Sequence, residues 1–283
     1  MAFLGRKTLK SQRARMRRID MVFERLGQSI LILYFVFFAT SWVSHRESLR
    51  IDSVTVLGAQ TVDASTVERI AHQFLSQKFL WKINRDNALF YPKHNLSLAL
   101  LSFNARIKSV ETSVPSSKLL SVKVTEYDPK YLWCKGEAVE SMASSTPESP
   151  CYLSDDEGYI FADAPHYSGY PFDVYRTNIP GSDEQETPIG LSMLPGDEFD
   201  KVQTFINALG GVGTSVVEVR QIAEHDYSFK SNKPWLILWS SEKDSKKSIE
   251  TIELATAEIL REKGGTTSVS SIDVRFGNKI FYK

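Results

Sequence analysis

Cysteine is nearly absent: Cys134 and Cys151 are the two in a chain of 283 residues. That scarcity excludes a disulfide-dense scaffold, and two thiols with no suitably spaced further ligand do not make a tetrahedral zinc centre. Histidine is sparse too. His45, His72, His94, His166 and His225 are scattered, and no two stand four apart as paired ligands on a helix do. His72 and His94 fall in or near helical segments and read as structural or solvated side chains. The sequence has no G-x-S-x-G or H-E-x-x-H motif. Gly210, Gly211 and Gly213 lack the lysine and hydroxyl residue of a phosphate loop and read as a helix stop. Asp155, Asp156, Glu157 and Gly158 lack the alternating acidic spacing of a calcium loop and read as a hairpin turn. The sequence thus offers no constellation for catalysis and calls for no metal, no cofactor and no small-molecule substrate.

Net charge is also absent, with 34 basic and 34 acidic side chains, but the balance hides an asymmetry. Residues 1–28 carry Arg6, Lys7, Lys10, Arg13, Arg15, Arg17, Arg18 and Arg25 against Asp20 and Glu24, for +6, which leaves −6 on the remainder. A basic tail beside an acidic body points to a membrane or a polyanion. One long apolar run follows the tail. Residues 26–44 contain no charge, and as a helix they cover roughly 28 Å, close to the hydrocarbon thickness of a bilayer. Trp42 falls near the outer end, where an amphipathic ring prefers the interface. The positive flank places residues 1–25 in the cytoplasm as a basic tail, 26–44 in the membrane, and the C-terminal body outside. Residues 39–41 (Ala39, Thr40, Ser41) would serve as a signal-peptidase site, but the basic region is long and the apolar run longer than a signal peptide's, so an anchor is expected. A basic tail beside a membrane span reads as a topology signal in contact with anionic lipid, with no nucleic-acid partner.

Beyond the span, residues 50–128 alternate between strand and helix patterns. Residues 53–58 (SVTVLG) read as a strand closed by a glycine turn. Asp63 suits a helix N-cap, with Val62 and Val67 as a hydrophobic staple, and Val67, Ile70, Ala71 and Phe74 share one helical face. A second helix begins near Pro92, with Leu96, Leu100 and Phe103 on one face. Residues 106–114 and 119–126 read as strands joined by a turn at Pro115, and Leu120, Val122 and Val124 form the buried face of the second. The order is β-α-α-β-β. Residues 129–283 read as further strands (131–134, 151–153, 159–161, 216–222, 235–239, 269–276, 278–283) and two helices. Phe199, Val202, Ile206 and Leu209 mark one helix; Ile249, Ile252, Thr256, Ile259 and Leu260 mark the other, closed by Gly264 and Gly265. Outside the cytoplasm, Cys134 and Cys151 are free to form a disulfide that would close a polar loop and stabilise by about 3 kcal/mol. The other reading is two free thiols on neighbouring strands.

This order of parts resembles the bacterial cell-division family FtsQ, called DivIB in Gram-positive bacteria. The likeness is carried by residues 51–58 (IDSVTVLG) as a first POTRA strand, 107–115 and 119–129 ending in VTEYDP as the last two POTRA strands and exit, Trp133 with 152–161 (YLSDDEGYIF) as a strand and hairpin, and 271–276 (SIDVRF) as a closing strand. The Cys134–Cys151 insertion, the short 240–245 segment and the missing tryptophan before Pro115 depart from that pattern. The resemblance implies an α+β protein: one transmembrane helix, a POTRA-like β-α-α-β-β domain, then a mostly antiparallel β domain with two helices. It implies a non-enzymatic divisome scaffold in the bacterial inner membrane at the septum. Its partners would be FtsB-like and FtsL-like bitopic proteins, held by strand addition at the C-terminal edge while septal cell-wall synthesis is controlled. The matching positions are Arg275, Phe276, Gly277, Asn278, Lys279, Ile280, Phe281 and Tyr282. Phe276, Ile280 and Tyr282 are the candidate anchors, with Phe276 and Ile280 open between interface and core, and Arg275 is positioned to meet a partner's acid. The alternative is a membrane-anchored POTRA-containing adaptor for envelope assembly or secretion.

Overall fold

The computed structural model describes residues 5–79, 83–136, 150–167, 171–179, 187–263, 269–277 and 279–283. The chain divides into two compact units, Met1–Glu126 and Tyr127–Lys283.

The first unit opens with one continuous helix, α1, Gly5–Ser44. The basic tail is therefore not separate from the apolar run: its helix passes unbroken into Met21–Ser44, a segment of 24 residues long and apolar enough to cross a membrane. A single 3₁₀ turn, Glu47–Leu49, leads into strand β1, Ser53–Leu57. Helix α2, Ala64–Leu75, starts where Asp63 caps it, the carboxylate accepting the Ser65 and Thr66 N–H groups. A two-stranded hairpin follows, β2 (Lys78–Phe79) with β3 (Ile83–Asn84), which the hydrophobic pattern did not announce. Helix α3 spans Lys93–Phe103 behind Pro92. Strands β4 (Ile107–Ser116) and β5 (Leu119–Glu126) complete a sheet ordered β1-β5-β4, with β1 parallel and β4 antiparallel to β5. Pro115 is not the turn. It sits inside β4 at a register irregularity between Ser113 and Ser116, and the chain reverses at residues 117–118. A proline is tolerated there because β4 is the edge strand and its missing N–H costs no ladder bond. Val67, Ala71, Leu75, Leu96, Leu100, Leu120, Val122 and Val124 form the core between helices and sheet. Phe103, expected on the buried face, is 42% exposed.

The second unit is built on one large sheet. Its strands are β6 (Tyr131–Cys134), β7 (Cys151–Ser154), β8 (Ile160–Asp163), β9 (Asp173–Arg176), β10 (Val216–Gln221), β11 (Asp226–Ser231), β12 (Leu236–Ser240), β13 (Ser271–Asp273) and β14 (Phe281–Tyr282), with α4 (Gly196–Gly211) and α5 (Ser245–Lys263) between them. The spatial order is β14-β13-β12-β11-β10-β9-β6-β7-β8. The sheet is mixed. Hairpin-connected neighbours pair antiparallel, whereas β9–β10 and β12–β13 pair parallel because α4 and α5 are their crossovers, and β6–β9 is parallel as well. Alternation assigns the two faces. Trp133, Tyr152, Ile160, Tyr175, Val219, Tyr227, Phe229, Ile237, Trp239 and Ile272 enter the core with the apolar sides of both helices. Leu132, Cys134, Leu153, Phe161 and Val174 form a smaller cluster on the opposite face. Phe205 stacks on Trp239 with ring centroids 4.3 Å apart and planes 3° from parallel. Cys134 and Cys151 face each other across β6 and β7 and are joined by a disulfide.

Candidate partner-binding edge

A sheet has two ends, and this one treats them differently. At the β8 end the chain folds back over the strand: Ile160 donates its N–H to the Leu191 carbonyl, and its own carbonyl accepts the Gly190 N–H. Tyr159 and Ser192 form a bridge beside them. That end is covered, as edge strands commonly are. At the other end β14 is the outermost strand among the described residues.

The geometry of this end starts at β13. Ile272 is buried against the core, so Asp273 falls on the opposite face of the strand. Arg275, two residues on, shares Asp273's face. Its Nε and Nη2 donate to the two oxygens of the Asp273 carboxylate at 2.9 and 2.6 Å, and Nη1 donates to Asp226 Oδ2 on β11 at 2.9 Å. Without a partner, the guanidinium that was expected to meet a partner's acid is engaged within the chain, spanning from β13 to β11. Burial alone would raise the Asp273 pKa, but the side-chain and backbone hydrogen bonds from Arg275 and its charge outweigh burial and leave it lowered. The Arg275 pKa is raised, chiefly by the hydrogen bonds it donates to Asp273.

Beyond Arg275 the chain turns. Gly277 has φ 73°, a left-handed conformation that suits glycine at a tight reversal. Phe276 just before it is 57% exposed and Phe281 just after is 53% exposed, and their rings meet edge to face with centroids 5.4 Å apart. Tyr282 is 43% exposed. Lys279 is exposed, and Ile280 is half-buried and packs on the main core. Asn278 lies outside the described residues. The question left open between Phe276 and Ile280 thus resolves by burial: Phe276 stands on the surface and Ile280 belongs to the core.

The ladder fixes which way β14 presents its backbone. Lys283 N–H donates to the Ser271 carbonyl, and the Lys283 carbonyl accepts the Ser271 N–H, so Lys283 faces β13. Alternation then aims the Phe281 backbone at β13 and the Tyr282 backbone, with Ile280 one period before it, to the far side.

A second polar cluster escaped the sequence reading. Glu198, in the first turn of α4, is 6% exposed and accepts hydrogen bonds from Tyr227 Oη at 2.8 Å and from Ser241 Oγ, with His225 Nδ1 at 3.4 Å and Lys201 Nζ at 3.5 Å. Burial would raise its pKa, but the bonds from Ser241, Tyr227 and His225 leave it lowered. A carboxylate that gathers donors in this way is a weak base. It fastens the start of α4 to β11 and to the end of β12. The Asp155 carboxylate likewise organises a turn, Oδ1 accepting the Glu157 and Tyr159 N–H groups. Among the described residues no three His, Cys, Asp or Glu side chains gather as metal ligands. Compared with models of known protein families and with curated proteins, the sequence matches none.

Proposed function

We propose that this chain is a membrane-anchored scaffold of the FtsQ/DivIB type, non-enzymatic, that holds small bitopic division proteins by strand addition to β14. Residues 26–44 of α1 are its single span, with residues 1–25 in the cytoplasm and residues 50–283 outside, at the inner membrane of the septum. Residues 50–128 are its POTRA-like domain, a reading supported by the order β1-α2-α3-β4-β5, interrupted by the small β2-β3 hairpin, and by the sheet β1-β5-β4 against which α2 and α3 pack.

One observation carries the binding mode: an outermost strand that bears the exposed Phe281, with the exposed Phe276 packed beside it, on a sheet whose opposite end is covered. Strand addition supplies affinity through backbone hydrogen bonds and specificity through side-chain contacts, and exposed aromatics are the residue type enriched where such interfaces carry their energy. Phe276 and Phe281 are the anchors in this reading. Arg275 braces β13 from within.

The test is affinity purification of the tagged full-length protein from mild-detergent membranes, with co-purifying proteins identified by mass spectrometry. Two small single-span coiled-coil proteins are expected. Ile280→Pro, which removes an N–H aimed away from β13, is expected to abolish their recovery while the first unit stays folded. A folded Ile280→Pro variant that still recovers them would overturn the edge-strand mode. Recovery of secretion or envelope-assembly proteins instead would favour the adaptor reading.

A further inference from the structure

The C-terminal end of α1 is built into the first unit. Side chains of residues 21–38 are exposed, whereas Ala39, Thr40, Ser41 and Val43 are half-buried and Ser44 is buried. β3 lies against this helix. The folded unit therefore runs alongside the helix from Ala39 to Ser44, a distance of about 7 Å along the axis. Asn87, fully buried, fixes the junction: its Nδ2 donates to the Val43 carbonyl at 3.1 Å and the Ser44 carbonyl at 3.4 Å, satisfying helix-end acceptors. The linker is clamped as well, Ile51 N–H to the Asp86 carbonyl and Ala88 N–H to the Leu49 carbonyl, with Arg50 paired to Asp86 at 3.0 Å.

The same asparagine shapes the next turn. Its Oδ1 accepts the Leu89 N–H, and its carbonyl accepts the Phe90 and Tyr91 N–H groups. Leu89 is 66% exposed and Phe90 39%. Phe79, paired with Ile83 of β3, is 52% exposed. Three apolar side chains thus stand in water on the segments tied to the end of the apolar helix. The uncharged part of that helix, residues 26–44, covers roughly 28 Å, about the thickness of the hydrocarbon core, so the helix ends at the outer interface. Trp42 marks the same level, with the Arg46 guanidinium 3.8 Å from its ring centroid, the aromatic and cationic pairing of a membrane interface.

We infer that the Leu89–Phe90 turn, together with Phe79, is a lipid-contacting surface that rests in the outer interface of the bilayer and sets the tilt of the first unit against the membrane. The occupant is lipid because the surface is continuous with the helix that enters the bilayer, and because apolar side chains at that depth exchange water for acyl chain. The inference rests on α1 spanning the membrane, as proposed above.

The experiment uses the full chain in phosphatidylcholine–phosphatidylglycerol vesicles. Both native cysteines are held in the disulfide, so single-cysteine variants take a fluorophore at one site. Leu89→Cys and Phe90→Cys report on the turn and Phe35→Cys on the span. Thr125→Cys, exposed at the opposite end of β5 and about 20 Å along the strand from Leu119, reports on the far side of the unit. Nitroxide lipids labelled near the headgroup are expected to quench the Leu89 and Phe90 probes at least about threefold more than the Thr125 probe. Mid-chain nitroxide lipids are expected to quench Phe35. Leu89 and Phe90 probes that match Thr125, quenched by aqueous iodide alone, would overturn the inference, as would shielding from both quenchers, which would mean that a second copy covers the turn. A quenched Phe35 probe beside unquenched turn probes overturns this inference alone. An unquenched Phe35 probe overturns the span itself.

Discussion

Glu126 shows how much one side chain organises. Its Oε1 accepts the N–H groups of Gln60, Thr61 and Val62, and Oε2 faces Arg106 at 3.4 Å. It closes the loop after β1 onto the end of β5. Burial would raise its pKa, but the backbone hydrogen bonds from Gln60, Val62 and Thr61 leave it lowered. A depressed carboxylate stabilises the fold above its ordinary pKa and loses that contribution as pH falls through the folded value. Asp63, lowered to about 2 chiefly by the Ser65 and Thr66 hydroxyls, behaves in the same sense. Amide protection factors in α2 and in the 58–62 loop, corrected for the intrinsic exchange rate at each pH, should therefore fall as pH is taken from 5 down toward 2 and hold between pH 5 and 8. Glu126→Gln, which loses the charge behind three hydrogen bonds, should cost about 2 kcal/mol in urea unfolding at pH 7. Arg275→Met leaves the Asp273 and Asp226 carboxylates facing each other unpaired. Its expected cost is about 2–3 kcal/mol, read by the same method, and Arg275→Lys should recover part of it. Beyond the Asp63 cap these partnerships were not legible in the sequence: Arg275 and Asp226 are 49 residues apart and Glu126 and Thr61 are 65 apart, and Asp273, though two residues from Arg275, is no more marked in the sequence than any neighbouring acid.

Elements were legible where a period ran long enough to be counted. The faces of α2, α4 and α5 follow from their apolar spacing, and the alternation of Leu120, Val122 and Val124 fixes β5. β9 was missed because its two buried residues, Val174 and Tyr175, are adjacent and flanked by the charged Asp173 and Arg176, and β11 because Asp226, Ser228 and Lys230 surround its two inward aromatics with polar neighbours. The last hairpin was seen but drawn too long. The expected strands 269–276 and 278–283 shorten to β13 and β14, since the Arg275 brace and the Gly277 turn take up the chain between them. The sequence could not rank Phe276 against Ile280, because the reversal at Gly277 resets the alternation that would have assigned their faces. Two element-scale changes test the packing. Gly58 has φ 82°, and a Cβ there would meet the Val124 carbonyl oxygen at 2.3 Å, so Gly58→Ala should destabilise the first unit by more than about 1 kcal/mol. Reduction of Cys134–Cys151, which links the ends of β6 and β7 across a sequence separation of 17, should lower the unfolding free energy by about 3 kcal/mol, seen as a lower urea midpoint with reductant present.

At the scale of the whole molecule, charge and hydropathy alone gave the membrane-capable helix, since the uncharged apolar run at 26–44, which lies within Met21–Ser44, needs no tertiary information to recognise. The proposed binding surface is a different kind of feature. It consists of the place of β14 at one end of a sheet, and that place depends on pairings among strands scattered over 150 residues of chain. An outermost strand with exposed aromatics beside it invites another strand, and the anchored chain in this account meets its partners in that way. Hydrogen–deuterium exchange on the purified full-length protein, alone and with its co-purified partners, tests this claim most directly. The account predicts that the peptide covering residues 279–283 becomes protected at least about tenfold on complex formation while the 160–163 peptide of β8 is unchanged. Unchanged exchange at 279–283 in a saturated complex would contradict it.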